Sequence, residues 1–277
     1  MPVIALTQEM GSLAKDVALL LEQEGKLKGM RHEVLEGVAG SMHVSTSVIS
    51  RLREGKAGFA ERMRIDRDRM AVYTAKEVFA LAEQGNIVLR GWGVTCLLRP
   101  VAHVLRVRIT RPFEQRVQWL MDHLQITDED FAREEVRRSD HAHASRMHAL
   151  FNVTWGDPLL YDVVLNTDRI SVESCAALIL QLAQRPEFQE TEASRATLAG
   201  LALSAAVRSA LKDHGATHEV NIEIQANGGN VALRGIVLNE QERDDAARIA
   251  STVAGVDHVD NQLRVMSVYP RFTHVPT

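Results

Sequence analysis

The sequence predicts two folded units: a three-layer α/β domain built on a parallel sheet, then a small α+β unit in the order α-β-β-α-β. Two observations carry this. Over residues 1–187, short uninterrupted apolar runs alternate with segments of helical spacing, as strands covered on both faces and their crossover helices do. Beyond residue 197 the apolar residues alternate strictly, as half-buried strands do. Residues 188–196 read as a polar linker, residues 197–268 as the second unit and residues 269–277 as a tail.

The elements follow in order. Val3, Ile4, Ala5 and Leu6 form an apolar strand that ends at Gly11-Ser12, and Ala14, Val17, Ala18 and Leu21 space a helix over residues 14–23. A long helical stretch, residues 61–84, stops at Gly85-Asn86. Ile87, Val88 and Leu89 make a second strand, closed by Gly91-Trp92-Gly93; residues 104–109 make a third and 162–165 a fourth. Ligands of parallel α/β sheets sit at the carboxyl ends of the strands, so Gly11 and Gly91 mark the expected mouth of a site. Pro186 ends the last helix before the linker.

In the second unit a helix is expected over residues 197–213. Val220, Ile222 and Ile224 share one strand face, and Val231, Leu233 and Val237 share another across the turn Asn227-Gly228-Gly229-Asn230. A helix over residues 241–254 and a final strand through Val256, Val259, Leu263 and Val265 complete it.

Of 277 residues, 45% are hydrophobic and 25% charged, a globular balance that excludes a disordered or fibrous chain. A net charge of -4 opposes a protein built to coat nucleic acid. Cys96 and Cys175 stand far apart with no metal-binding spacing and read as buried small hydrophobes of a reducing compartment. The N-terminal stretch lacks the pattern of a secretory signal, and no apolar run is long enough to span a bilayer, so a cytoplasmic location is expected.

The run VNIEIQANGGNVALRGIVLNEQERDDAARIASTVAGVDHVDNQLRV resembles a BON domain, with Gly235 as a turn glycine after the second strand and GVxxVxNxLxV from Gly255 to Val265. The resemblance implies a phospholipid, ligand or protein partner rather than catalysis. The first 187 residues resemble the cytidylate-kinase-like family of P-loop nucleoside monophosphate kinases. Four stretches carry this: TQEMGSLAKDVA, GNIVLRGWGVTCLL, VLRVRITRPFEQRVQWLM and DHAHASRMHALFNVTWGDPLLYDVVLNTDRIS. The resemblance implies a P-loop kinase-like fold, ATP with Mg²⁺ in an active member, and a CMP-like acceptor.

Within that resemblance the chain departs from the family at defined points. A phosphate-binding turn aims backbone N–H groups at its ligand from a helix N-terminus, and glycines permit close approach. Gly11 and Ser12 match the family's GSGG turn, but its last two glycines are Leu13 and Ala14 here. Lys15 is displaced by one position from a Walker lysine, and Asp16 falls near the magnesium hydroxyl position. In the GRGA-type turn, between Gly91 and Gly93, Trp92 replaces the arginine; it either stacks on a base or fills the cleft. Arg116 matches the family's helix arginine, and Asp140 matches the lid aspartate, whose arginine partner is His143 here. Arg146, one turn later, is the expected substitute, with Arg137 and Arg138 as further lid cations. Asn166, Thr167 and Asp168 either touch nucleotide or hold the final helix, which Asp168 or Ser171 could cap.

His141 and His143 are two apart on a helix and point in different directions, so no metal site is expected. ERMRIDRDR, residues 61–69, reads as a salt-bridged exposed helix. HVSTSVISRLREGKAG, residues 43–58, resembles a DNA-recognition helix, a reading that the acidic balance opposes. Two functions stay open: a nucleotide-binding kinase that phosphorylates a nucleoside monophosphate, or a catalytically inactive relative with a sensing or scaffold role.

Overall fold

The structure is a computed structural model that describes residues 2–30, 32–53, 56–58, 66–91 and 93–266, without the side chains of residues 32 and 53. It divides into two compact units, residues 1–202 and 203–277. Trp92 and residues 61–65 of the expected exposed helix lie outside the described residues.

The first unit is built on five parallel strands: β1 (Val3–Gln8), β2 (Lys28–Met30), β3 (Ile87–Arg90), β4 (Val104–Thr110) and β5 (Val163–Asn166), in the spatial order β2-β3-β1-β4-β5. β1 lies between β3 and β4, so its carboxyl end opens at the centre of the sheet. β2 has no counterpart in the sequence reading, because its three residues expose Lys28 and bury only Met30.

Helices α1 (Ala14–Glu24), α2 (His32–Met42), α3 (Thr46–Arg53) and α4 (Arg67–Glu83) precede β3; the short α5 (Val94–Leu97) follows it. After β4 come α6 (Phe113–Leu124) and the long α7 (Glu129–Phe151), and after β5 comes α8 (Val172–Ala183). One sheet face buries Ile4, Leu6, Val107 and Ile109 against Val17 and Leu21 of α1 and Ile179 of α8. The period of two in β4 sends Arg106, Arg108 and Thr110 to the opposite face from Leu105, Val107 and Ile109. That alternation places cations beneath the ends of the strands.

The polar stretch expected as a linker is largely helical. After a single 3₁₀ turn, Pro186–Phe188, helix α9 runs over Glu192–Asp213, five residues ahead of its expected start. Thr191 and Ser194 form the reciprocal cap that begins it: each side-chain oxygen accepts the other's backbone N–H, at 3.0 and 3.1 Å. The buried His103 ring bonds the Ser194 hydroxyl at 2.7 Å, which fixes that cap to the first unit.

In the second unit β6 (Glu223–Asn227) pairs antiparallel with β7 (Asn230–Val237), and β7 pairs parallel with β8 (His258–Val265) across α10 (Glu240–Ser251). Val231, Leu233, Val237, Ala246 and Ile249 form its core. The expected αββαβ order holds. Val220 and Ile222 precede β6 instead of belonging to it. Gly235, expected in a turn, lies inside β7 at φ +144°, and a Cβ there would come within 3.1 Å of Ile222 Cγ2. A close approach between strand and incoming chain, not a reversal, requires that glycine. Among the described residues, no helix is long and apolar enough to cross a membrane.

Candidate functional site

The carboxyl ends of β1, β3, β4 and β5 bring together the turn after β1, the Gly91–Gly93 turn, the start of α6 and residues 166–168. In the first turn Gly11 has φ +75° and lies so close to α6 that a Cβ would stand 3.0 Å from the Arg116 carbonyl oxygen. Leu13 caps α1 in the left-handed conformation, φ 60° and ψ 14°, which costs a non-glycine residue roughly 1–2 kcal/mol. Leu13 thus holds a left-handed backbone where the sequence resemblance expects a glycine. Ser12 is 1% exposed, and both its N–H and its hydroxyl donate to the Glu9 carbonyl, at 3.3 and 2.9 Å.

At the helix start the amides of Leu13, Ala14 and Lys15 have no backbone acceptor among the described residues, as the first turn of any helix leaves them. The Lys15 and Asp16 side chains, on that same turn, face solvent. Gly91 bonds back to the Leu6 carbonyl at 2.9 Å, and Gly93 at φ +70° lies against Phe151 of α7. Gly11 thus serves a close approach of two backbones, whereas Gly93 makes room for the Phe151 ring.

Two arginines occupy the space beside the β1 turn, and each is held by a carboxylate. Arg108, 6% exposed, donates to Glu9 Oε1 at 2.5 Å and to the Trp155 carbonyl at 2.9 Å. Its guanidinium lies 4.4 Å from the centre of the Trp155 ring, a cation–π contact. The other oxygen of Glu9 accepts from the Thr110 hydroxyl at 2.7 Å and from the Arg111 N–H at 3.3 Å. Arg116, 5% exposed, makes a two-pronged bond with Asp140, at 2.9 and 2.8 Å. Its remaining nitrogen, Nε, is buried without a hydrogen bond, 3.6 Å from Glu9 Oε2. Burial opposes the Arg116 charge, yet the Asp140 and Glu9 carboxylates hold its pKa above the ordinary value.

The run after α7 serves this network structurally. Trp155 Nε1 donates to the Thr7 hydroxyl at 3.2 Å, and the Trp155 carbonyl also accepts from the Tyr161 hydroxyl at 2.7 Å. Burial pushes the Tyr161 phenol up, against the lowering effect of Arg108. His143, at the lid arginine position, stacks on Trp155 with ring centres 5.2 Å apart. Thr167 donates its hydroxyl to the Ser12 carbonyl at 2.9 Å, which pins the glycine turn. Asn166 accepts the Asp168 N–H at 3.0 Å, Asp168 accepts from Gln115, and Ser171, not Asp168, caps α8. These residues hold turn and helix.

The structure thus brings Gly11, Ser12, Arg116 and Asp140 together, with Lys15 on the same turn but facing solvent. Arg137 is largely exposed and pairs with Glu134 on its own helix. Arg146 points to the other side of α7, where its guanidinium donates to the Leu52 carbonyl of α3 at 3.5 Å. Glu9, Arg108 and Trp155 have no role in the sequence reading. The signal that could have found them is Arg106 and Arg108 in an otherwise apolar strand, since charges in a covered strand require partners. Arg106 finds Asp162, at 2.6 Å.

A magnesium ion would need free oxygen donors beside the turn. The Ser12 hydroxyl, Glu9 and Asp140 are already engaged, and the Asp16 side chain faces solvent. Among the described residues no group of three or more His, Cys, Asp or Glu side chains could hold a metal ion. The donor set does not fit a protein-held magnesium site.

The family model for the cytidylate kinase-like family matches residues 3–169, more than half of the chain and every residue of the site just described. The chain belongs to the cytidylate kinase-like family. A BON domain model matches residues 201–267, so this member carries a C-terminal BON domain. No curated protein matches. Among solved structures, an uncharacterized protein from Eubacterium ventriosum is 17% identical, with a TM-score of 0.53 over 67% of this chain and 100% of that one. A shikimate kinase from Bacteroides thetaiotaomicron is 14% identical, with a TM-score of 0.42 over 66% and 99%. A shikimate kinase from Acinetobacter baumannii in complex with shikimate is 12% identical, with a TM-score of 0.36 over 66% and 92%. The first likeness bears on the kinase-like fold alone.

Proposed function

We propose that the kinase-like domain binds a phosphorylated ligand, a nucleotide in the first instance, at the start of α1 and does not transfer phosphate. One observation carries this reading: both buried arginines beside the turn are neutralised by the protein's own carboxylates, Arg108 by Glu9 and Arg116 by Asp140. Phosphoryl transfer relies on cations and metal that stabilise spreading negative charge. The amides of the first turn, which have no backbone acceptor among the described residues, support binding, since a helix N-terminus attracts anions. The BON domain is the accessory binding unit, for a protein partner or a phospholipid.

The test is a calorimetric titration of the full chain with Mg-ATP, followed by an assay of ADP release with CMP as acceptor. Saturable ATP binding without ADP release supports the reading; CMP-dependent release overturns it, and so does the absence of heat up to millimolar ATP. The variant Leu13→Gly/Ala14→Gly restores the family's turn and is expected to bind ATP more tightly. Unchanged affinity would show that Leu13 is no obstacle.

The second reading, an active nucleoside monophosphate kinase using ATP with Mg²⁺, is favoured by one feature. Thr167, within the intact run WGDPLLYDVVLNTDRIS, still ties the β5 end to the Ser12 carbonyl and so keeps the phosphate turn in shape.

A further inference from the structure

In the second unit the two edges of β7 differ. On one side β8 accompanies it to its end, and the Met266 N–H donates to the Val237 carbonyl at 2.8 Å. On the other side β6 stops opposite Arg234. Beyond that point a groove of about 420 Å³ separates residues 215–221 from Ile236, Val237 and Leu238. Its volume falls within the range of small binding pockets.

Ile236 and Leu238 flank the buried Val237 and are 65% and 63% exposed; Met266, bonded to Val237, is exposed as well. An apolar cluster at an open strand edge invites a further extended chain. Charge narrows the choice of occupant. The described lining carries the carboxylates of Glu219 and Glu242 and no Lys or Arg. Glu242 accepts the Leu238 N–H at 2.8 Å, and Glu219 lies 3.6 Å from the His218 ring nitrogen, largely exposed. Such a wall repels an anionic phospholipid headgroup and attracts a cationic segment.

The chain itself supplies one. Eleven residues follow Met266, SVYPRFTHVPT, and lie outside the described residues. They include Val268, Tyr269, Phe272 and Val275, with Arg271 and no Asp or Glu. The segment starts one hydrogen bond away from Val237, which lines the groove. At about 3.3 Å per extended residue, the stretch from Met266 to Phe272 reaches about 20 Å. The far edge of β7 is roughly two strand spacings from β8, or about 10 Å.

We propose that residues 267–277 turn back across the end of β7 and occupy this groove as the unit's own ligand. Tyr269 and Phe272 cover Ile236 and Leu238, and Arg271 faces Glu219. A protein partner of the same groove has to displace the segment. The proposal does not depend on what the kinase-like domain binds.

The test compares the full chain with one ending at Met266, each titrated calorimetrically with the synthetic peptide SVYPRFTHVPT. The peptide is expected to bind the shortened chain about tenfold or more tightly than the full chain, whose attached segment competes at an effective concentration of roughly millimolar. Ile236→Glu in the shortened chain is expected to weaken the peptide about tenfold; Ile236 is exposed, so the substitution spares the core. If the shortened chain does not fold, Tyr269→Ala/Phe272→Ala in the full chain replaces it and is expected to admit the peptide equally. Equal affinity for the blocked and open chains, no binding to the open one, or an unaltered Kd in Ile236→Glu overturns the proposal. So do a dimer of the shortened chain that the peptide leaves intact, and binding of phosphatidylglycerol vesicles in place of the peptide.

Discussion

The two arginine-rich regions of the kinase-like domain use the same side chain in opposite ways. Beside the β1 turn, Arg108 and Arg116 are buried and each meets a carboxylate, at 2.5 Å for Glu9 and 2.8 Å for Asp140. Behind α7, Arg67 is exposed, and the half-buried Arg146 donates to the Leu52 carbonyl of α3 at 3.5 Å. A guanidinium sealed from water needs an internal counter-charge to be tolerated at all. One that stays exposed, as Arg67 does, has water in that place. Burial therefore decides which arginines need a carboxylate of the protein's own.

Glu9→Ala tests this contrast with the largest expected effect. It strips Arg108 of its ion pair while leaving the guanidinium buried, a change that costs about 3–5 kcal/mol. Urea denaturation measures it, and a loss below about 1 kcal/mol would remove the distinction between the two regions. Thr167→Val comes next. It leaves the Ser12 carbonyl without the Thr167 hydroxyl, for about 1–2 kcal/mol of stability, and it is expected to weaken ATP binding because the turn loses its tie. Smallest is Arg67→Ala, whose folding stability is expected to stay within about 0.5 kcal/mol of the parent. A larger drop would place Arg67 with the fold-holding arginines.

The same contrast explains what the sequence made legible. β1, β3, β4 and β5 were readable because covered parallel strands need unbroken apolar runs, and Gly11 and Gly91 marked their ends correctly. Three-residue β2 carries no such run. The partners of Arg108 and Arg116 were illegible for a different reason: Glu9 lies 99 positions from Arg108 and Asp140 lies 24 from Arg116, and no local period announces either pairing. Arg146 and Arg137 looked equivalent to Arg116 as lid and helix cations, but Arg137 is largely exposed beside Glu134, and Arg146, six residues after Asp140, turns toward α3. Gly235 was recognisable as required; only packing against Ile222 says why.

Leu13 keeps the left-handed conformation of the phosphate turn without a glycine's freedom to adopt it. The free energy of that conformation is settled when the chain folds, before any ligand arrives. An anion that docks there meets amides already aimed, with no loop to reorganise. Its association should follow a single exponential whose observed rate rises linearly with ligand concentration, free of the plateau that a slow rearrangement would impose.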